Sequence, residues 1–310
     1  MAAQSEPIPN IMRQGRITPW LYLLPALFVM TVFIVYPALN TFYLSFRNTD
    51  DTAWAGADCL AGEPCWGALE NYRYALTSPI MLTAFVNNLK WILLMVSGTV
   101  LLGLLIATLA DRVRYEAVAK ALIFMPMAIS FVGAGVIWKF VYDFGSGQVQ
   151  IGLLNALVTA FGARPVSWLT EPQINTIALI VVGIWMWTGF CMTILAAALK
   201  GVPTEILEAG RVDGATEWQV FLQIMLPQIM PTVTVVVTTM VINVLKIFDI
   251  VYVMTGGNYG TEVIANRMYI EMYTNFRTGR AAAIAIVLIA VIVPAMIFNI
   301  RRFREQEAMR

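Results

Sequence analysis

The run KGVPTEILEAGRVDGATEWQVFLQIMLPQIMP, Lys200 to Pro231, is a polar, patterned stretch set between two long apolar ones. A tether between two helices needs only a few residues, so this connection is longer than its topological duty. Pro203 suits the first turn of a helix, and Glu205 and Glu208 favour that end electrostatically. Ile206, Leu207 and Gly210 recur at helical spacing. Gly214 breaks the helix or lets another backbone approach closely. Trp218, Phe221, Leu222 and Met225 then fall at i, i+3, i+4 and i+7 of a second short helix. Leu226-Pro227 is expected to turn the chain back into the next apolar run. The polar face carries Glu205, Glu208, Asp213 and Glu217 with only Arg211 as a nearby base. A helix lying on lipid headgroups usually shows Lys and Arg, whereas an acidic, glycine-bent helix suits docking in a protein groove.

Outward from this stretch the chain reads as an integral membrane protein. Its 310 residues are 59% hydrophobic and 13% charged, with a mean hydropathy of +0.72; a soluble domain averages about 25% charged residues. Six apolar runs are long enough to cross a bilayer, Trp20 to Phe46, Leu89 to Ala110, Ala117 to Tyr142, Ile174 to Leu199, Ile229 to Met254 and Ala281 to Ile300. In lipid each must satisfy its own backbone, so an all-α fold of six transmembrane helices is expected. The first run is read as a retained helix, not a removed leader. Pro25, Pro37, Pro126, Pro231 and Pro294 lie in or beside spans, where neighbouring helices can cover the freed carbonyls. The expected organisation is a tail at 1–16, one transmembrane domain at 17–300 holding the loop 200–228, and a second tail at 301–310.

Positive charge sets the expected orientation. Arg13 and Arg16, then Arg112, Arg114 and Lys120, then Lys200 and Arg211, and finally Arg301, Arg302, Arg304 and Arg310 share one side. Opposite them, Arg47, Arg73 and Lys90 are outweighed by Asp50, Asp51, Asp58, Glu63 and Glu70, although Arg277 and Arg280 run against the bias. Both tails and the 200–228 loop are therefore expected in the cytoplasm. Cys59 and Cys65, in the run CLAGEPC on the outer side, are close enough for a small-loop disulfide; two free thiols are the alternative. Cys191, in mid-span, reads as a small buried apolar residue.

Several chemistries are excluded. The chain has no histidine, which removes Ser-His-Asp and Cys-His nucleophile pairs, His-ligated metal sites and histidine pH switching. A net charge of +1 leaves no basic stripe for nucleic acid. No G-x-x-x-x-G-K-[ST] phosphate cradle is present, and none of the five lysines follows a glycine. No catalytic residue, metal site or cofactor of its own is expected in this chain.

The loop also carries a resemblance. Glu208-Ala209-Gly210, Asp213-Gly214-Ala215, then Ile224 and Leu226-Pro227 resemble the EAA signature of the membrane-spanning subunits of ABC importers, with Gly210 where that family usually has alanine. LPALFVMTVFIVYPALNTFYLSF (Leu24 to Phe46), Glu70-Asn71-Tyr72, FDIVYVMTGGNYGT (Phe248 to Thr261) and Gly279-Arg280-Ala281-Ala282-Ala283 are similar to the carbohydrate-uptake subfamily, and the short C-terminus is similar to its maltose-system F-type member. The resemblance implies a binding-protein-dependent permease that is half of a heterodimer with a G-type permease. It implies a cytoplasmic ATPase dimer using ATP and Mg, and an extracytoplasmic sugar-binding protein. Glu208, Ala209, Asp213 and Gly214 would form the docking core on the ATPase, with Glu205 and Arg211 at its rim. A glycine at 210 costs a helix up to about 1 kcal/mol relative to alanine.

Intramembrane polar residues are the substrate-path candidates. Asn243, Lys246 and Asp249 follow at i, i+3 and i+6 on the fifth span. Lys246 and Asp249 could equally be an ion pair between helices, whereas the Asn243 amide can both give to and accept from sugar hydroxyls. Trp185 and Trp187 could stack on a sugar face, or serve as belt and core residues. The expected function is sugar or oligosaccharide import, an α-glucoside such as a maltose-, trehalose- or sucrose-like sugar being the substrate expected first. Alternatives are a permease for another small solute such as glycerol phosphate, a free-standing secondary carrier, or a polytopic membrane enzyme.

Overall fold

Long apolar runs punctuated by Pro and Ser, without two-residue alternation, favour helices, and helices are what form. The computed structural model describes residues 18–47, 69–111, 113–145 and 151–308, and every regular element named among them is helical. Five helices are long and apolar enough to cross a membrane: Trp20–Leu44, Pro79–Ala110, Asn175–Lys200, Glu217–Leu245 and Thr278–Phe298. The pair Glu116–Ala128 and Phe131–Val141 supplies a sixth span if taken together, and its halves meet at 99°. The expected tail at 1–16, Cys59 and Cys65 lie outside the described residues.

Three expected spans need correction. The third, taken as one helix from Ala117 to Tyr142, is broken. Pro126 sits in a tight 3-10 turn at Met125–Ala128, Ile129 and Ser130 are extended, and the Ser130 hydroxyl accepts from Gly133 N at 3.0 Å to start a new helix. The second span begins at Pro79, well before Leu89, because extended Ser78 and a proline at the first helical position start a helix that includes the polar pair Asn87 and Asn88. The fifth runs from Glu217 to Leu245 and stops short of Met254. A π-helical stretch at Val220–Met225 precedes Leu226, and Pro227 falls in the first turn of the helix that follows, so Leu226-Pro227 makes no turn. At the far end Lys246 leaves the helical conformation and a separate short helix, Asp249–Met254, follows. The last helix continues from Thr278 to Ala308.

The core lies between the second and fourth spans, packed along their lengths, with the fifth against both. Small residues set that approach, as is usual between helices in lipid. A Cβ at Gly183 would lie 2.9 Å from both Trp91 and Met95, and one at Gly103 2.8 Å from the Cβ of Cys191. Cys191 is accordingly a buried free thiol at a helix crossing. A second cluster joins Met81 and Ala84 to Ile264, Ala283 and Ile284. The first span presents its side chains outward and rests its Tyr36–Leu44 half on the last helix.

Candidate functional site

Thr204–Val212 forms a helix that ends in a Schellman closure. Gly214 adopts φ +85°, its N–H donates to Arg211 O at 3.0 Å, and Ala215 N–H reaches Gly210 O at 3.0 Å. Thr216 then starts the next helix with a capping box shared with Gln219. Arg211 bridges the bend by donating from Nε to Glu217 Oε1 at 2.7 Å; this bond and the Glu217 charge hold the guanidinium pKa above its ordinary value. The two short helices thus form one built knuckle.

Its faces differ. Leu207 packs on the core and Gly210 is buried, whereas Glu205, Glu208, Ala209, Arg211, Val212, Asp213 and Gly214 are exposed. Val212 is 88% exposed. Gly210 faces Ile224, whose Cδ1 lies 2.5 Å from where a Cβ would stand. The departure from alanine at 210 therefore lies beside the tip of another residue of the same signature, a side-chain end that can shift. Ala215 and Leu226 are half-buried, and Pro227 is exposed on the fifth span. At the root of the knuckle Lys200 pairs with Glu116 at 2.6 Å and Asp111 at 3.3 Å, and Lys120 pairs with Glu116 at 2.5 Å, tying the ends of the second, third and fourth spans together.

The substrate-path candidates are distributed over several elements. Asn243 is half-buried near the end of the fifth span, where its Nδ2 donates to Thr239 O at 2.9 Å. Lys246 is exposed at the break and Asp249 opens the next helix, so the three do not share one span, and Lys246 makes no ion pair with Asp249. Trp185 and Trp187 are half-buried and face the second half of the bent span. Trp185 meets the Trp138 ring at 5.6 Å, and Trp187 stacks with Phe131 at 6.1 Å. No hydrogen bond or ring contact joins either tryptophan to Asn243.

A polar knot that sequence reasoning missed lies at the end of the bundle away from the knuckle. Asn87 donates to Gly260 O at 2.6 Å and Glu262 O at 2.9 Å, Asn88 accepts from Ile264 N at 3.0 Å, and Asn175 donates to Tyr259 O at 2.8 Å. The second and fourth spans thereby clasp the glycine-rich 256–260 turn. Buried Glu262 accepts from Asn266 at 2.5 Å and Val263 N at 3.1 Å. Burial lifts its carboxyl above the ordinary carboxylate range against those two bonds. Glu271, also buried, pairs with Arg267 and accepts from Tyr74 at 2.8 Å, and the Arg280 guanidinium sits 4.5 Å from the centre of the Tyr74 ring. The available signals were the Asn87-Asn88 pair just before an apolar run and a glycine-rich turn ending in glutamate.

Comparison with known proteins gives a consistent result. Residues 99–301 match the family model described as binding-protein-dependent transport system inner membrane component. The osmoprotective compounds uptake permease protein GgtC of Synechocystis sp. is 53% identical, with 94% of this chain aligned to 100% of the relative. The alpha-glucoside transport system permease protein AglF of Rhizobium meliloti is 45% identical over 94% of this chain and 84% of the relative. Among solved structures, a bacterial ABC transporter involved in the import of the acidic polysaccharide alginate superimposes with a TM-score of 0.74 at 22% identity, covering 91% of this chain and 95% of its counterpart.

Proposed function

Because this chain belongs to the family of binding-protein-dependent transport system inner membrane components, we propose that it is the permease subunit of an ATP-driven importer that carries a sugar, an α-glucoside foremost, across the cytoplasmic membrane. The observation that carries this reading is the exposed, Schellman-closed knuckle on a helix that continues unbroken into the fifth span. A partner that grips Glu205, Glu208, Ala209 and Asp213 moves Gly210 against Ile224. Ile224 lies on the helix Glu217–Leu245, so movement of the knuckle is movement of that span. The energy comes from ATP and Mg bound by a separate cytoplasmic ATPase dimer, and alternating access follows as closure of that dimer biases two states of the spans. A G-type permease completes the pathway, a sugar-binding protein delivers from outside, and both tails and the knuckle lie in the cytoplasm. Within the pathway Asn243 keeps a carbonyl oxygen for a sugar hydroxyl, and Trp185 and Trp187 supply rings that stack on a sugar face.

Gly214→Asp tests the docking assignment. A Cβ at 214 meets nothing within 4 Å and the strain of its left-handed backbone, φ +85°, falls on the knuckle and not on a span, so the variant should insert in the membrane, yet lose co-purification with the ATPase subunit and sugar-stimulated ATP hydrolysis. Normal coupling would overturn the docking role. A second reading, import of an osmoprotective solute, is favoured by the 53% identity to GgtC. Uptake by the reconstituted complex of maltose, set against that of a non-sugar osmoprotective solute, separates the two.

A further inference from the structure

A cavity of about 660 Å³ opens at the end of the bundle away from the knuckle, lined by Lys139, Phe140, Tyr142, Asp143, Trp168 and Thr170 among others. That volume lies in the range of small-molecule sites, roughly 300–1,000 Å³. None of the residues singled out above as substrate path lines it. Its walls are fixed by one buried side chain, Asn155. The Asn155 amide donates to Asp143 O at 2.8 Å and Val166 O at 3.0 Å, while its carbonyl accepts from Val166 N at 2.8 Å and the Trp168 indole at 3.1 Å. Tyr142 is pinned in turn by donating to Ala178 O at 3.0 Å, and its ring lies 6.0 Å from that of Trp168.

This arrangement sorts the lining by chemistry. The Trp168 N–H is spent on Asn155, so what the indole offers a ligand is its apolar face. Phe140, 72% exposed, offers another. Around them stand Lys139 and Asp143, both exposed and neither in an ion pair among the described residues, together with the hydroxyls of Ser167 and Thr170, which bond to each other. Flat apolar surface bordered by a cation, a carboxylate and hydroxyls complements a pyranose ring, which has C–H faces and a rim of hydroxyls that donate and accept. A lipid tail would leave the charges unanswered, and an anionic solute would meet Asp143 beside Lys139. The aromatic contacts also continue inward from Tyr142 to Trp138 at 5.1 Å and Trp185 at 5.6 Å.

We infer that this cavity is a vestibule subsite that holds one glycosyl ring of the incoming sugar on Trp168, with Lys139 and Asp143 gripping its hydroxyls, before the sugar enters the spans. The inference rests on the sugar-importer reading and adds a binding site to it.

The experiment has two arms. In the reconstituted complex, Trp168→Ala and Asp143→Asn should each raise the KM for sugar uptake about tenfold, roughly 1.4 kcal/mol of binding, with kcat little changed; Trp168→Phe should recover most of the loss. In the second arm, Thr170→Cys is placed in the complex with Cys59, Cys65 and Cys191 replaced by Ser. Maltose, trehalose or sucrose, added without the binding protein, should slow maleimide labelling at position 170. Uptake with unchanged KM in every variant and labelling indifferent to sugar overturns the vestibule while leaving the importer standing. Labelling slowed by sugar in a complex that imports none of them upholds the vestibule and overturns the importer reading. A KM effect that appears with labelling indifferent to free sugar assigns the surface to the binding protein and overturns the subsite.

Discussion

A methyl group at position 257 would lie 2.5 Å from Asn266 Nδ2 and 2.6 Å from Glu262 Oε1, at a residue whose φ is +80°. Gly257 therefore answers two demands, a left-handed backbone and close passage of a buried amide–carboxyl pair. Gly257→Ala should lower the stability of the detergent-solubilised complex by about 1–3 kcal/mol, read as a clear drop in thermal unfolding temperature. Glu262→Gln should behave oppositely. Both hydrogen bonds to this side chain use Oε1, which a glutamine retains, and the cost of burying a charge disappears, so the melting temperature should hold or rise. These residues were not legible in the sequence. Glu262 and Glu271 lie between apolar runs, where charge reads as solvated. They are buried by structure distant in the chain, such as Asn87, 173 and 175 residues from the carbonyls it engages. Gly210 was legible as a departure, but its close neighbour, the tip of the Ile224 side chain, required the fold.

At the scale of elements, the knuckle was largely legible. Helix, glycine bend and second helix stand where the spacing of Glu205, Leu207, Gly214 and Trp218 puts them, because local capping determines such a segment. The bent third span was not legible from hydropathy, since Pro126 and Ser130 do not interrupt an apolar average. Read as punctuation, a proline followed by a serine that can cap the next helix was the signal. Ser130→Ala should cost about 1 kcal/mol of stability and reduce uptake, whereas Ser130→Asp, which can also accept from Gly133 N, should keep both near normal; thermal unfolding and transport by the reconstituted complex decide. The opposite error occurred at Leu226-Pro227, where a turn was expected and the helix runs through. The π-helical stretch Val220–Met225 just before Pro227 changes the hydrogen-bond pattern where the proline lacks its N–H, so a proline alone does not end an element.

Across the whole molecule, the family and the helical membrane class were legible because both rest on composition and local motif. The placement of Asn243, Lys246 and Asp249 was not, because it depends on where the fifth helix stops. The two ends of the bundle are also held by different forces. Near the knuckle, Lys200, Glu116 and Asp111 meet through side chains 51%, 29% and 50% exposed, where salt screens the attraction. At the other end, Asn87, Asn88 and Asn175 are buried and bonded to backbone. Amide hydrogen exchange should therefore be slow at 256–266 and faster at 111–120 and 199–203. Raising salt from about 0.1 M to about 1 M, which cuts the Debye length from about 10 Å to about 3 Å, should accelerate only the second set; equal acceleration at both ends would refute the distinction.

The asparagine clasp thus makes one end of this permease a fulcrum. The second span, the fourth span and the turn that follows the fifth are pinned at a common point, so displacement applied at the knuckle would be expressed as an arc that widens with distance from it. A lever of this kind needs little deformation at its pivot to open a passage at its far end. Loosening the pivot, by Asn175→Ala, should therefore lower uptake by the reconstituted complex more than it lowers sugar binding or co-purification with the proposed ATPase subunit.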